Sequence, residues 1–200
     1  MISRGLENCY LMTNGLGGFS SLTMTGAAAR NDHAFLMACV QAPNHRYNLV
    51  HRLKEELIFP EKDGGAEADA EKRAEADAGA GQEIRRMLST QEFAEGEPET
   101  GCRYLSFFSW EDAPVWRFLA DGVEIVKEAG LEHGSNRAAL RYEITNRSRR
   151  EAVLQVTPFY QFVPKGKDMG ETQRIVSTPS GRDHAENAAS GCPDRYLRTN

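Results

Sequence analysis

The chain has 200 residues, 40% hydrophobic side chains and a net charge of −5, the composition of one globular domain with enough apolar mass for a core. Glu61 to Gln82 holds seven acids and three bases, so the rest of the chain is nearly neutral and offers no basic footprint to a nucleic-acid backbone. No apolar run is long enough to cross a membrane as a helix, and the opening MISRGLENCY lacks the apolar stretch of a signal peptide.

In chain order, Cys9 to Thr13 (CYLMT) and Phe19 to Thr25 (FSSLTMT) read as strands. Ala34 to Val40 (AFLMACV) is a continuous apolar run that suits a buried strand or a buried helix segment equally. Asn48 to Phe59 is ambiguous. Its Leu49, Leu53 and Leu57 have helical spacing, and an extended reading with a bulge also fits. Residues 62–82 form an acidic, Ala-rich insertion without an aromatic, Leu or Val, expected to be a solvated, disordered surface loop. Arg103–Trp110, Val115–Leu119, Val123–Ala129, Leu140–Thr145, Ala152–Phe162 and Arg174–Ser177 then read as strands. In LRYEIT, Leu140, Tyr142 and Ile144 alternate with polar residues, which predicts one buried face. Asp121-Gly122 between two strands supplies the positive φ angles of a tight hairpin, and Asn146 to Arg150 is a polar turn. Closely spaced strands with turn chemistry between them predict an all-β, antiparallel sandwich with few or short helices, occupying residues 1–200 as one domain.

Cys9, Cys39, Cys102 and Cys192 form no CxxC pair, and the five histidines form no HExxH. Free thiols in a reducing cytoplasm are expected, with no metal site and no cofactor. In Asn14 to Ser21 (NGLGGFSS), a dinucleotide fingerprint needs Gly at position 20, where this chain has Ser, and a helix afterwards. The stretch is better read as a tight connection between strands. Arg30, Asn31, Asp32 and His33 gather polar groups just before an apolar run, as a binding site or a hydrogen-bonded strand end would. Trp116 falls in a strand pattern and reads as core; Trp110, at a loop edge beside Glu111 and Asp112, is the better surface ring for stacking on a sugar. Adjacent carboxylates such as Glu55/Glu56 and Glu111/Asp112 point to opposite faces of a strand and make no catalytic pair.

The first block, ENCYLMTNGLGGFSSLTMTGAAARNDHAFLMACV, resembles the opening of the N-terminal domain of bacterial and archaeal glycogen debranching enzymes of the amylo-α-1,6-glucosidase type. Glu7, Thr13, Asn14, Gly15, Leu16, Gly17, Gly18, Phe19, Ser21, Gly26, Arg30 and His33 fall on that family's pattern. Ile125-Val126-Lys127, Gly134-Ser135-Asn136, Tyr142 with Asn146, and the apolar strand around Pro158 extend the likeness to about Glu7–Phe162. The chain departs from the pattern at Asn31-Asp32-His33-Ala34-Phe35 and at FVPKGKDMG. The resemblance implies a β-sandwich of the large supersandwich kind, preceding a C-terminal (α/α)6 barrel that carries the catalytic acid and base on the same or a longer polypeptide. It implies α-glucan, as glycogen or maltooligosaccharide, as the ligand, no catalytic residue in this chain, and Asn14, Arg30, His33 and Trp110 as the residues to contact it. The chain stops at RYLRTN in what reads as a strand in progress, so a C-terminally truncated domain is expected. The alternative is a stand-alone carbohydrate-binding or assembly module without hydrolase activity.

Overall fold

A computed structural model describes residues 8–61, 83–168, 175–179 and 185–189, the last two as backbone. The acidic insertion at 62–82 lies outside the described residues. The elements are β1 (Met12–Thr13), β2 (Phe19–Ser21), β3 (Ala34–Gln41), β4 (His45–Phe59), β5 (Ile84–Met87), β6 (Thr90–Gln91), β7 (Glu99–Thr100), a 3-10 turn at Gly101–Tyr104, β8 (Leu105–Trp110), β9 (Pro114–Ala120), β10 (Val123–Leu131), β11 (Ala138–Asn146), β12 (Val153–Pro164), β13 (Ile175–Pro179) and β14 (Ala185–Ala189).

A six-stranded sheet runs β1-β2-β3-β4-β12, with β5 also paired to β4; a four-stranded sheet runs β11-β10-β9-β8. Every described pairing is antiparallel. The sheets share one core: Leu53, Leu57 and Phe59 from β4 cluster with Trp116, Phe118, Val123 and Ile125 from β9 and β10. This is the all-β antiparallel sandwich that the strand spacing predicts. The Asp121-Gly122 hairpin forms with φ of 47° and 84°, the left-handed pair that a two-residue turn needs. The Asn146–Arg150 turn is held by Asn146, whose Oδ1 accepts from the Ser148 amide while Nδ2 donates to the Arg150 carbonyl.

The ambiguous runs are both strands. Leu49, Leu53 and Leu57 are four residues apart, a spacing that satisfies period 2 as well as period 3.6, so it does not discriminate. Pairing decides: β4 is flanked by β12 on one edge and by β3 and β5 on the other. Four expectations are corrected. Of Cys9–Thr13 only Met12 and Thr13 form a strand. Arg103 and Tyr104 lie in the 3-10 turn, and their strand begins at Leu105. β2 stops at Ser21 because the chain turns at Thr23, whose Oγ1 accepts from the Ala27 amide while Gly26 takes φ 82°. Ile144 is 47% exposed, because β11 is the edge strand of its sheet and its last residues lie in the open. The short strands β5, β6, β7 and β14 carry too few residues to show a period.

Candidate functional site

At one end of the sandwich the NGLGG stretch becomes the β1–β2 connection, with Gly15 at φ 77° and Gly17 at φ 91°. Asn14 is fully buried at its centre. Its Oδ1 accepts from the Leu16 and Gly18 amides, at 3.0 and 2.9 Å. Its Nδ2 donates to the Ser135 carbonyl and to Asn136 Oδ1, at 2.6 and 3.0 Å. Asn136 then brackets Cys39 of β3, accepting from its amide at 3.0 Å and donating to its carbonyl at 2.8 Å. Arg46 Nε donates to the Gly17 carbonyl. Two sequence blocks more than a hundred residues apart, NGLGG and Gly134-Ser135-Asn136, thus close into one knot that ties the β1–β2 and β10–β11 connections to β3. Gly18 is required by contact, since a Cβ there would stand 2.6 Å from Asn14 Nδ2 and 2.9 Å from the Met37 carbonyl, whereas Gly15 is favoured by its φ of 77°, the neighbour of its Cβ being the exposed His133 ring. The loop runs into β2 rather than into a helix, so it lacks the helix N-terminus that a dinucleotide fingerprint places at the phosphates.

His33 is buried immediately before β3. Its Nδ1 accepts from the Ala29 amide at 3.0 Å, so the neutral ring carries its proton on Nε2, which faces Cys9 Sγ at 3.3 Å. Burial holds this imidazole below its ordinary pKa, with Asp32 opposing and Arg30 reinforcing the shift. Arg30 is exposed on the preceding turn, and Asp32 faces Lys165 at 3.9 Å. Trp116 is core, 1% exposed, and donates to the Met24 carbonyl at 2.8 Å. Trp110 is 41% exposed and stacks on Tyr10 with ring centroids 5.7 Å apart and planes 26° apart. Of the four residues singled out from sequence, Asn14 and His33 are therefore buried and engaged with protein groups, while Arg30 and Trp110 present surface.

Adjacent to His33, β4 and β12 bulge opposite one another. Phe159 pairs with Arg52 and Tyr160 with Val50, which leaves His51 extra on β4; Val163 then pairs with Asn48, which leaves Gln161 and Phe162 facing Leu49 alone. Asn48 Nδ2 lies 3.4 Å from the His33 carbonyl, 3.1 Å from His51 Nδ1 and 3.0 Å from Gln161 Oε1. Burial, then the Arg52 charge, lowers the pKa of His51.

Two buried ion pairs escaped the sequence reading. Lys127 Nζ meets Glu55 Oε1 at 2.7 Å between the sheets, and the Tyr142 hydroxyl donates to the same oxygen. Lys127 also lies 4.8 Å from the Trp116 ring centroid. The signal was present in the strand parity: Lys127 sits between Ile125 and Ala129 on the inward face of β10. Arg52 forms a two-point pair with Glu99 at 2.8 and 3.1 Å, and its guanidinium lies 4.3 Å from the Phe159 centroid. Those partners are 47 residues apart and no local pattern joins them. Glu55 and Glu56 do point to opposite faces, Glu55 to Lys127 and Glu56 to Lys54 at 3.1 Å. Among the described residues no group of three or more His, Cys, Asp or Glu side chains is placed to hold a metal ion, and no helix is long and apolar enough to cross a membrane.

No curated protein and no solved structure matches the chain. The family described as glycogen debranching enzyme N terminal matches residues 8–64 and 74–196, and the break in the match falls inside the acidic insertion. The Asn14–Asn136 knot, which joins the motif blocks that carried the resemblance, lies wholly within the matched residues, and the chain belongs to the glycogen debranching enzyme N-terminal family.

Proposed function

We propose that this chain is the non-catalytic N-terminal sandwich of a glycogen-debranching-type α-1,6-glucosidase, and that it shapes the α-glucan cleft of a separate C-terminal (α/α)6 barrel. The family match across most of the chain carries this reading. The arrangement of the acids supports it: Glu55 and Glu99 are committed to Lys127 and Arg52, which suits cross-links better than proton transfer at a glycosidic bond. The barrel would supply the acid that protonates the leaving oxygen and the base that activates water. The sandwich would contribute the exposed Trp110 ring, held flat against Tyr10 with Glu111 and Asp112 beside it, as a stacking surface for glucose rings.

The purified chain should release no glucose from a branched limit dextrin; measurable release would refute the non-catalytic reading. It should bind maltooligosaccharide, with Trp110→Ala weakening binding about tenfold, or about 1.4 kcal/mol. A stand-alone glucan-binding module is the second reading, favoured by the same exposed ring. It predicts binding unchanged by addition of a catalytic barrel, whereas a shared cleft predicts tighter binding.

A further inference from the structure

An open cleft of about 390 Å³ lies between the turn after β2 and the loop after β6. That volume falls within the about 300–1,000 Å³ of small-ligand sites. Its lining comes from two segments, Ala27–Ala29 and Gln91–Ala94. Gln91 rivets them together: its Oε1 accepts from the Ala28 amide at 2.9 Å, and its Nε2 donates to the Ala28 carbonyl at 3.1 Å and to the Glu92 carbonyl at 3.0 Å. The Gln91 amide is therefore spent within the protein and fixes the shape of the cleft. Phe93 has the Arg52 guanidinium 5.3 Å from its ring centroid, and Arg52 is itself held by Glu99. Phe93 is nonetheless 44% exposed. A single exposed apolar side chain is ordinary on a surface, but here a ring and four alanines share one cleft. Glu92 is exposed, and its carboxylate has no hydrogen-bond or ion-pair partner among the described residues.

The charges around the cleft narrow the ligand. A cation is disfavoured, because Arg52 already fills the cation's place at Phe93 and Arg30 follows Ala29. An anion is disfavoured by Glu92 in the lining and by Glu95 and Glu97 further along the same loop. What fits is a neutral molecule with C–H surface for the ring and the alanines and with hydroxyl donors for one carboxylate, which is a hexose. We propose that this cleft holds one glucose unit of an α-glucan, with Phe93 and the alanines against its C–H surface and the Glu92 carboxylate accepting from its hydroxyls. Trp110 is not in the lining, so the cleft is a second point of contact; the ligand class rests on the debranching reading above.

The test is titration of the full chain with maltotriose, followed by NMR of the Ala28, Ala29 and Ala94 methyls, the Phe93 ring and the Trp110 indole. The expected result is saturable shifts at the cleft that persist in Trp110→Ala. Ala29→Leu fills the cleft from an exposed position and keeps the backbone bond to His33; Glu92→Ala removes the acceptor. Each should weaken the apparent affinity at the cleft about tenfold or more, with thermal unfolding unchanged. Undiminished affinity in either variant would overturn the proposal. Shifts confined to the Trp110 indole would overturn the cleft while leaving glucan recognition intact. Silence at both places would overturn both. Equal shifts with glycerol or with N-acetyl-lysine amide at the same concentration would show a cleft without preference for a sugar, and would also overturn it.

Discussion

Replacing Lys127 by Met keeps most of the side-chain length and removes only the charge. Lys127 and Glu55 have side chains about 5% exposed and meet at 2.7 Å, so the substitution leaves a carboxylate between the sheets with only the Tyr142 hydroxyl for company. Removing one partner of a buried pair costs about 3–5 kcal/mol, mainly because the survivor stays desolvated. Tyr142→Phe removes one hydrogen bond to a charged acceptor and should cost less, about 1.5–3 kcal/mol. The double variant Glu55→Met/Lys127→Met eliminates the stranded charge. What remains is the orphaned Tyr142 hydroxyl, worth about 1–3 kcal/mol. The double substitution should therefore be milder than Lys127→Met alone. Urea unfolding of these three variants and of Glu55→Met, compared by linear extrapolation, measures this ordering and the coupling of the two charges. If the double variant loses as much as its two singles added together, the charges do not depend on one another and the reasoning fails.

Gly18→Ala should destabilise by about 1–3 kcal/mol, because its Cβ would press on Asn14 and on the Met37 carbonyl. Gly26→Ala meets nothing within 4 Å and should cost only the left-handed strain of φ 82°, about 1–2 kcal/mol; thermal melts that place Gly26→Ala as the more damaging would contradict the knot. His33 and His51 both have pKa values lowered by burial. Their unfolded forms therefore take up protons first, so the stability they contribute is complete above about pH 6.5 and falls as pH drops below it. Removing one of the two rings by His51→Gln should make the decline shallower. A stability curve flat between pH 6.5 and 5 would show that neither ring is held neutral.

Strand parity, hairpin chemistry and the burial of Trp116 were legible because each depends on residues close together in sequence. The NGLGG stretch was likewise legible as a backbone-shaping connection, since glycine at positive φ is a local requirement. What closes over that loop was not. Asn136 belongs to a turn beyond β10, and its bonds to Asn14 and Cys39 exist only once both sheets have formed. The polar cluster at Arg30–His33 was visible, but not that His33 would turn inward to the Ala29 amide while Arg30 stayed out. The double bulge lay hidden for a related reason: an extra residue on β4 has meaning only against the extra residues on β12.

The knot also gives a physical reason for motif blocks to travel together in one sequence. Asn14 satisfies two amides of its own loop with one end and reaches the β10–β11 turn with the other. Gly18 must lack a Cβ for that amide to fit, and Asn136 must offer both an acceptor and a donor to hold Cys39. Changing any one of these residues strands buried partners of the others, so selection on the fold alone would keep NGLGG with Gly-Ser-Asn. A residue so employed is a poor candidate for touching sugar. Trp110 is stacked on Tyr10 and 41% exposed, so under the proposed function its open surface is where a sugar ring could stack, and losing the ring should also cost about 0.5–1.5 kcal/mol of stability through the Tyr10 contact.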